Sequence, residues 1–232
     1  MKIVLPFFSL LIINLSVSAA TIQINPVKDN TLYETENGNL SNGTGTRLFI
    51  GKTGENAKFR KRRAVLQFDL SDIPPNSTIN SATFEVTVSN TPPDGFSFDA
   101  KLHLLLADWG EGQSNGGGNG ATAAANDATW QHRFYDTTNW NTAGGDFFNS
   151  TSATAKFNVN VNEVVTFSSD PGLVADVQLW LDTPTMNFGW ILLGDEISNQ
   201  NARGINSRES ATPPILTINF TAPDLIFADG FE

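Results

Sequence analysis

The chain has 232 residues, a formal net charge of −10, no cysteine, 19 glycines and 11 prolines. Without thiols it is not a disulfide scaffold, a cysteine-dependent enzyme or a thiolate metal protein. The acidic balance argues against nucleic-acid binding, which relies on clustered cations, and the turn-forming composition argues against long helices.

The N-terminus comes first. Lys2 precedes an apolar run from Ile3 to Val17, followed by small Ser18, Ala19 and Ala20 and polar Thr21. One positive charge, an apolar stretch and a small-residue cleavage site predict a secretory signal peptide over residues 1–20. Pro6 and Asn14 interrupt the run, which is short for a spanning helix, and no later run is long enough to span. The expected location is extracellular, at the cell surface or periplasmic. Residues 21–222 have the length of one domain around one core. Residues 223–232 form a short acidic tail ending in Asp229-Gly230-Phe231-Glu232.

Short apolar runs bounded by turn residues then recur. Arg47–Ile50, Ala64–Leu70, Ala82–Val88, Lys101–Ala107, Val161–Phe167, Gly189–Leu193 and Ile215–Phe220 are predicted strands. Within Ala82–Val88, Phe84, Val86 and Val88 share one face and Thr83, Glu85 and Thr87 the other, the period of two that a half-buried strand requires. Many short strands predict an all-β, antiparallel jelly-roll β-sandwich. One segment breaks the pattern: Leu173, Val174, Val177, Trp180 and Leu181 stand at helical spacing between Pro171-Gly172 and Pro184. It is predicted as one short amphipathic helix closing an end of the sandwich. Gly110 to Asp127 and Thr137 to Ala155 read as loops, the first expected to be mobile or poorly packed.

Three residue sets bear on function. Trp109, Trp130, Tyr135 and Trp140, with Asp127, Arg133 and Asp136, are the types that grip a sugar: a ring against its apolar face, charged groups against its hydroxyls. The competing reading is core packing, to which Trp180 and Trp190 are assigned outright. Lys58 to Arg63 holds five of the 14 lysines and arginines. Arg60, Arg62 and Arg63 would suit an anionic polysaccharide, since guanidinium forks pair with uronate or sulfate; the alternative is a solvated strand entry. Asp29, Asp69, Asp195, Glu196 and Glu209 leave a structural calcium open, without EF-hand or RTX spacing to place it. No cofactor is otherwise expected. Motifs for hydrolases, zinc proteases and nucleotide binding are missing. On paper, His132, Arg133 and Tyr135 could run a lyase, or Asp108 or Glu111 with Asp146 a glycosidase, but strand neighbours point to opposite faces.

Several segments make sense together: Arg63–Ser71 followed by Ile73-Pro74, Ala107-Asp-Trp-Gly-Glu111, Thr129-Trp-Gln-His-Arg133, Gly144-Gly-Asp146, Asn187-Phe-Gly-Trp190, Gly194-Asp-Glu196 and Asn206-Ser-Arg-Glu209. In order, they resemble the secreted bacterial DNRLRE-type domain, which overlaps carbohydrate-binding module family 96. The resemblance covers roughly Asp29 to Phe220. It implies a β-sandwich that is mostly non-catalytic, and some such modules bind alginate. It also implies that the Thr-Trp-x-x-Arg segment and the Ser-Arg-Glu segment are framework. The chain departs from the pattern where Arg203 is followed by Gly204-Ile205 instead of an aromatic. The expected function is therefore non-catalytic binding of a polysaccharide, an acidic one in the sharper version. The alternatives are a structural or adhesive surface module and a polysaccharide lyase or glycosidase. A monomer without nucleic-acid partners or a membrane span is expected. The expected ligand contacts are Arg60, Arg62, Arg63, Trp130, Arg133, Tyr135 and Trp140.

Overall fold

The computed structural model describes residues 19–58 and 60–223, so most of the leader, the tail beyond Pro223 and Phe59 of the basic run lie outside the described residues. Fifteen strands lie among the described residues: β1 (Ala19–Ile24), β2 (Pro26–Tyr33), β3 (Leu40–Ser41), β4 (Arg47–Lys52), β5 (Lys61–Phe68), β6 (Thr78–Asn90), β7 (Phe98–Leu104), β8 (Ala121–Thr122), β9 (His132–Phe134), β10 (Thr138–Asn139), β11 (Ala153–Phe157), β12 (Val164–Phe167), β13 (Trp190–Leu193), β14 (Arg203–Asn206) and β15 (Ile215–Thr221). Among the described residues there is one α-helix, α1 (Pro171–Asp182), between β12 and β13. No helix among the described residues is long and apolar enough to cross a membrane.

All pairings between these strands are antiparallel. One continuous ladder runs β1-β15-β6-β14-β4-β5-β13-β7-β11, with β12 also on β6 and β2 also on β5. Such a long sheet curls on itself, and its two halves enclose the main core. The expected all-β sandwich is therefore present, with its one short helix. Ala19 and Ala20, read as the end of the leader, stand in edge strand β1 opposite Thr221 and Phe220.

β6 behaves as its alternation requires: Phe84, Val86 and Val88 are buried, and Thr83, Glu85 and Thr87 are partly exposed. In the core Phe84 stacks on Phe167, and its ring centroid lies 5.7 Å from Phe68 and 5.9 Å from Trp190. Helix α1 begins at Pro171, whose missing N–H costs nothing in a first turn, and buries Leu173, Val177 and Trp180. Trp180 packs on Trp190 at 4.4 Å between centroids. Gly189, at φ +80°, turns the chain into β13; a Cβ there would stand 1.9 Å from the Leu66 carbonyl oxygen, so only glycine fits.

The middle of β5 and β13 is buried on both faces, which explains their continuous apolar runs. Ala64, Leu66, Trp190 and Leu192 enter the main core, while Val65, Ile191 and Leu32 face outward into a second cluster with Leu105, Trp109, Ala128, Trp130 and Trp140. The chain between β7 and β11 forms that outer cover. This corrects the expectation of a poorly packed segment from Gly110 to Asp127. Ser114, Ala123 and Asp127 are buried. The Asp127 carboxylate accepts from Ala124 N at 2.6 Å and Ser114 N at 3.4 Å. Asn42 Oδ1 accepts from the amides of Gly116 and Gly117 at 2.8 and 2.9 Å. Short polar side chains thus do for the Gly-rich loop what strand pairing does elsewhere.

Candidate functional site

The loop layer is knitted by its own backbone. Gly110 donates to Arg133 O, Ala128 to Gly110 O and Tyr135 to Asp127 O, each at 2.8 Å, and Trp140 donates to Gln131 O at 3.0 Å. Its tryptophans point down into the second cluster. The indole N–H of Trp109 donates to Phe188 O at 2.9 Å and that of Trp140 to Thr129 O at 3.0 Å. Trp109, Trp130 and Trp140 are 1, 8 and 5 % exposed, and Trp180 and Trp190 are 1 and 0 % exposed. A ring that shows so little of its face is no stacking platform for a sugar, so Trp130 and Trp140 act as packing residues.

The basic run disperses because alternate strand residues face opposite ways. Arg63 lies against the loop layer. It forks Glu196 at 2.6 and 2.9 Å, donates to Gly144 O at 2.8 Å, and stands 4.8 Å from the Trp130 ring and 5.5 Å from the Phe147 ring. Arg62 faces the other way, buried over the Tyr33 ring at 4.7 Å. Burial lowers the affinity of its guanidinium for a proton and raises that of the Tyr33 phenolate. Arg60 makes a loose 3.4 Å pair with Glu36, which is 88 % exposed. Lys61 lies 3.6 Å from Glu196. Arg60 and Trp130 do share a shallow hollow, but Glu34 and Glu36 line it as well. Arg62 and Arg63 are thus occupied within the fold, and Arg60 is held only by its loose pair with Glu36.

Arg133 has a different setting. It lies on β9, which pairs with β10, and with Asn139, Asn141, Asp108 and Asp146 it lines a hollow of about 450 Å³. A neighbouring hollow of about 300 Å³ shares Leu106, Ala107, Asn141 and Asp146 and adds Thr142 and Asn149. Together they form a groove over the loop layer, floored by Leu106, which is 47 % exposed. Arg133 donates to the Asp108 carbonyl at 3.1 Å, and its remaining N–H groups have no partner among the described residues. Asp146 accepts from the amides of Asn141 and Thr142 at 2.8 Å, and Asp108 from Lys28 Nζ at 2.8 Å. The sequence pointed to Arg133 and Asp146 but not to Leu106, Asn139, Asn141 or Asn149. Their only signal was the run of amide and hydroxyl residues after Thr137.

Of the lyase candidates His132 and Tyr135 meet, without a carboxylate partner among the described residues, and of the glycosidase candidates only Asp108 and Asp146 come together. His132 Nδ1 lies 3.2 Å from Thr129 Oγ1, which also accepts two backbone N–H groups of the same turn. Tyr135 meets the His132 ring edge-on at 5.3 Å. No carboxylate among the described residues bonds to that imidazole. Asp108 and Asp146 share the groove but hold Lys28 and the backbone, while Glu111 is turned away onto Arg208 at 2.5 and 2.9 Å. One further feature went unread in the sequence, and for a second the sequence offered Asp29 and Glu209 as calcium ligands without placing them or joining Glu111 to them. A cleft of about 790 Å³ opens between α1 and the end of β5, with Trp180, Asn187, Asp69 and Asp182 on its walls. At the edge of the loop layer, Asp29, Glu111 and Glu209 form the one group of three metal-ligating side chains among the described residues.

No family model matches the chain, and no curated protein matches it.

Proposed function

We propose that this chain is an exported, non-catalytic module that binds a polysaccharide through the groove over its loop layer. The observation that carries the reading is the groove's lining: an exposed aliphatic floor rimmed by Asn139, Asn141, Thr142, Asp146 and the Arg133 guanidinium, which bonds only the Asp108 carbonyl among the described residues. Amides, hydroxyls and one guanidinium match the hydroxyl rim of a sugar ring, and the floor matches its apolar face. The second core beneath holds these groups rigid, which lowers the ordering cost of binding. With two carboxylates and one guanidinium on its walls, the groove favours an uncharged glycan over a polyuronate. The resemblance to DNRLRE-type domains supports the same class of function. Burial of all five tryptophans favours a second reading, a structural or adhesive surface module.

The test is binding of the protein to a panel of neutral and anionic polysaccharides, with chromatography of the incubated glycans. Retention by neutral glycans without new products is expected. No retention anywhere would leave the structural reading, and shortened products would replace both with an enzyme.

A further inference from the structure

Asp29 lies in β2, Glu111 in the loop layer after β7, and Glu209 between β14 and β15. One oxygen from each carboxylate lies within 4.8 Å of the others. One guanidinium faces them. Arg208 forks Glu111, with Nε at 2.5 Å and Nη2 at 2.9 Å. Its Nε is also 2.9 Å from Glu209 Oε1, but the single N–H there is directed at Glu111, so Glu209 receives charge without a hydrogen bond. Glu111 Oε1 further accepts from the Asp29 amide at 2.9 Å. Asp29 is fully buried, and its Oδ2 accepts from the Arg208 amide at 2.7 Å.

Three buried carboxylate oxygens remain without any donor: Asp29 Oδ1, Glu209 Oε1 and Glu209 Oε2. Ionised, three carboxylates against one guanidinium leave two uncompensated negative charges, with Asp29 fully buried and the side chains of Glu111 and Glu209 only 18 and 22 % exposed. Buried charges that are neither paired nor hydrogen-bonded are strongly unfavourable. Burial accordingly pushes the carboxyl groups of Asp29 and Glu209 above their ordinary range.

We propose that Asp29, Glu209 and Glu111 form a calcium site that clamps β2, the loop layer and the β14–β15 loop together. All the donors are hard oxygens, with no imidazole or thiolate, which suits calcium or magnesium over zinc or copper. Glu209, with both oxygens unpartnered, is suited to bidentate ligation. Calcium accepts that mode among six to eight ligands at about 2.3–2.6 Å, whereas magnesium prefers a compact octahedron that keeps its waters. The two charges of the ion balance the two left over, and Arg208 stays on Glu111. With few fixed ligands, the site belongs with weak calcium sites, with a Kd on the order of 10⁻⁴ M.

The experiment is calorimetric titration of the EDTA-treated full chain with calcium chloride alone, alongside thermal melts with calcium, magnesium or EDTA. One binding event is expected, with a Tm rise of about 5–10 °C at saturating calcium and a smaller rise with magnesium. Glu209→Gln should fold, since it removes an uncompensated charge, and should lose both the heat and the calcium-dependent shift; Asp29→Asn should do the same. Absence of heat and shift in the wild-type protein would overturn the proposal. So would a calcium response that persists in both variants, which would place the ion elsewhere on this acidic surface.

Discussion

At the scale of single residues, the same side-chain type serves different ends according to its face and neighbours. Arg63 is a staple and Arg60 a surface group, although three positions separate them. Arg63→Ala would leave Glu196, with only 16 % of its side chain exposed, without its fork and would open the contact to Trp130. We expect a loss of about 3–5 kcal/mol in urea denaturation, as for other broken buried pairs, against less than about 0.5 kcal/mol for Arg60→Ala. Equal effects would mean that Arg63 carries no such role. Asp176 shows the opposite economy. Its Oδ2 accepts from the Trp190 indole at 2.7 Å. Burial raises its carboxyl pKa, with hydrogen bonds from Ser152 and Trp190 opposing that rise. A carboxyl raised in the folded state contributes stability below its unfolded pKa of about 3.9 and loses it as pH climbs through the folded value. Asp176→Asn keeps an acceptor for the indole without the charge, so its stability relative to the wild type should increase between about pH 4 and pH 7. Denaturation curves across that range would show it. Asp176→Ala, which orphans the indole N–H, should cost about 1–3 kcal/mol.

At the scale of elements, the half-buried strands and the helix were legible because one face of each is apolar at a fixed period. β6 and α1 are the clearest cases. β2 and β14 were not legible. Pro-Val-Lys-Asp-Asn-Thr-Leu-Tyr and Arg-Gly-Ile-Asn have no apolar alternation, since Asn30, Thr31 and Arg203 are buried by virtue of polar partners and Asp29 is buried with one oxygen bonded. β11 was hidden inside a stretch read as loop. The loop layer escaped for a related reason. Its order comes from side-chain-to-backbone bonds such as those of Asp127 and Asn42, which leave no periodicity in sequence. Arg133 of the candidate groove was visible as a residue type. Its convergence with Asn139 and Asn141 was not, because that depends on how β9 and β10 fold back. The packed reading of this layer predicts slow hydrogen exchange at the amides of Gly110, Ala128, Tyr135 and Trp140, comparable to β5. Exchange as fast as in the exposed turn at Pro92–Gly95 would mean that the layer does not hold the groove in place.

At the scale of the whole molecule, the architecture is a sandwich with one of its halves covered a second time. The inner core holds the two halves of the sheet together. The outer core, built from three tryptophans and the outward residues of β2, β5 and β13, carries a layer of loops whose free surface is the groove. A second core costs a chain many large side chains, and here its product is a rigid polar surface away from the sheet. On the proposed reading that surface takes an extended, uncharged ligand, with Asp146 held by backbone amides and Asp108 by Lys28. The most direct measurement is calorimetric titration of the wild-type protein and an Arg133→Ala, Asn141→Ala double variant with neutral polysaccharides, at low and high salt. The account predicts saturable binding that changes little with salt and weakens at least about tenfold in the double variant, the loss of two polar contacts at about 1 kcal/mol or more each. Absence of saturable binding in the wild-type protein, or undiminished binding in the variant, would contradict it.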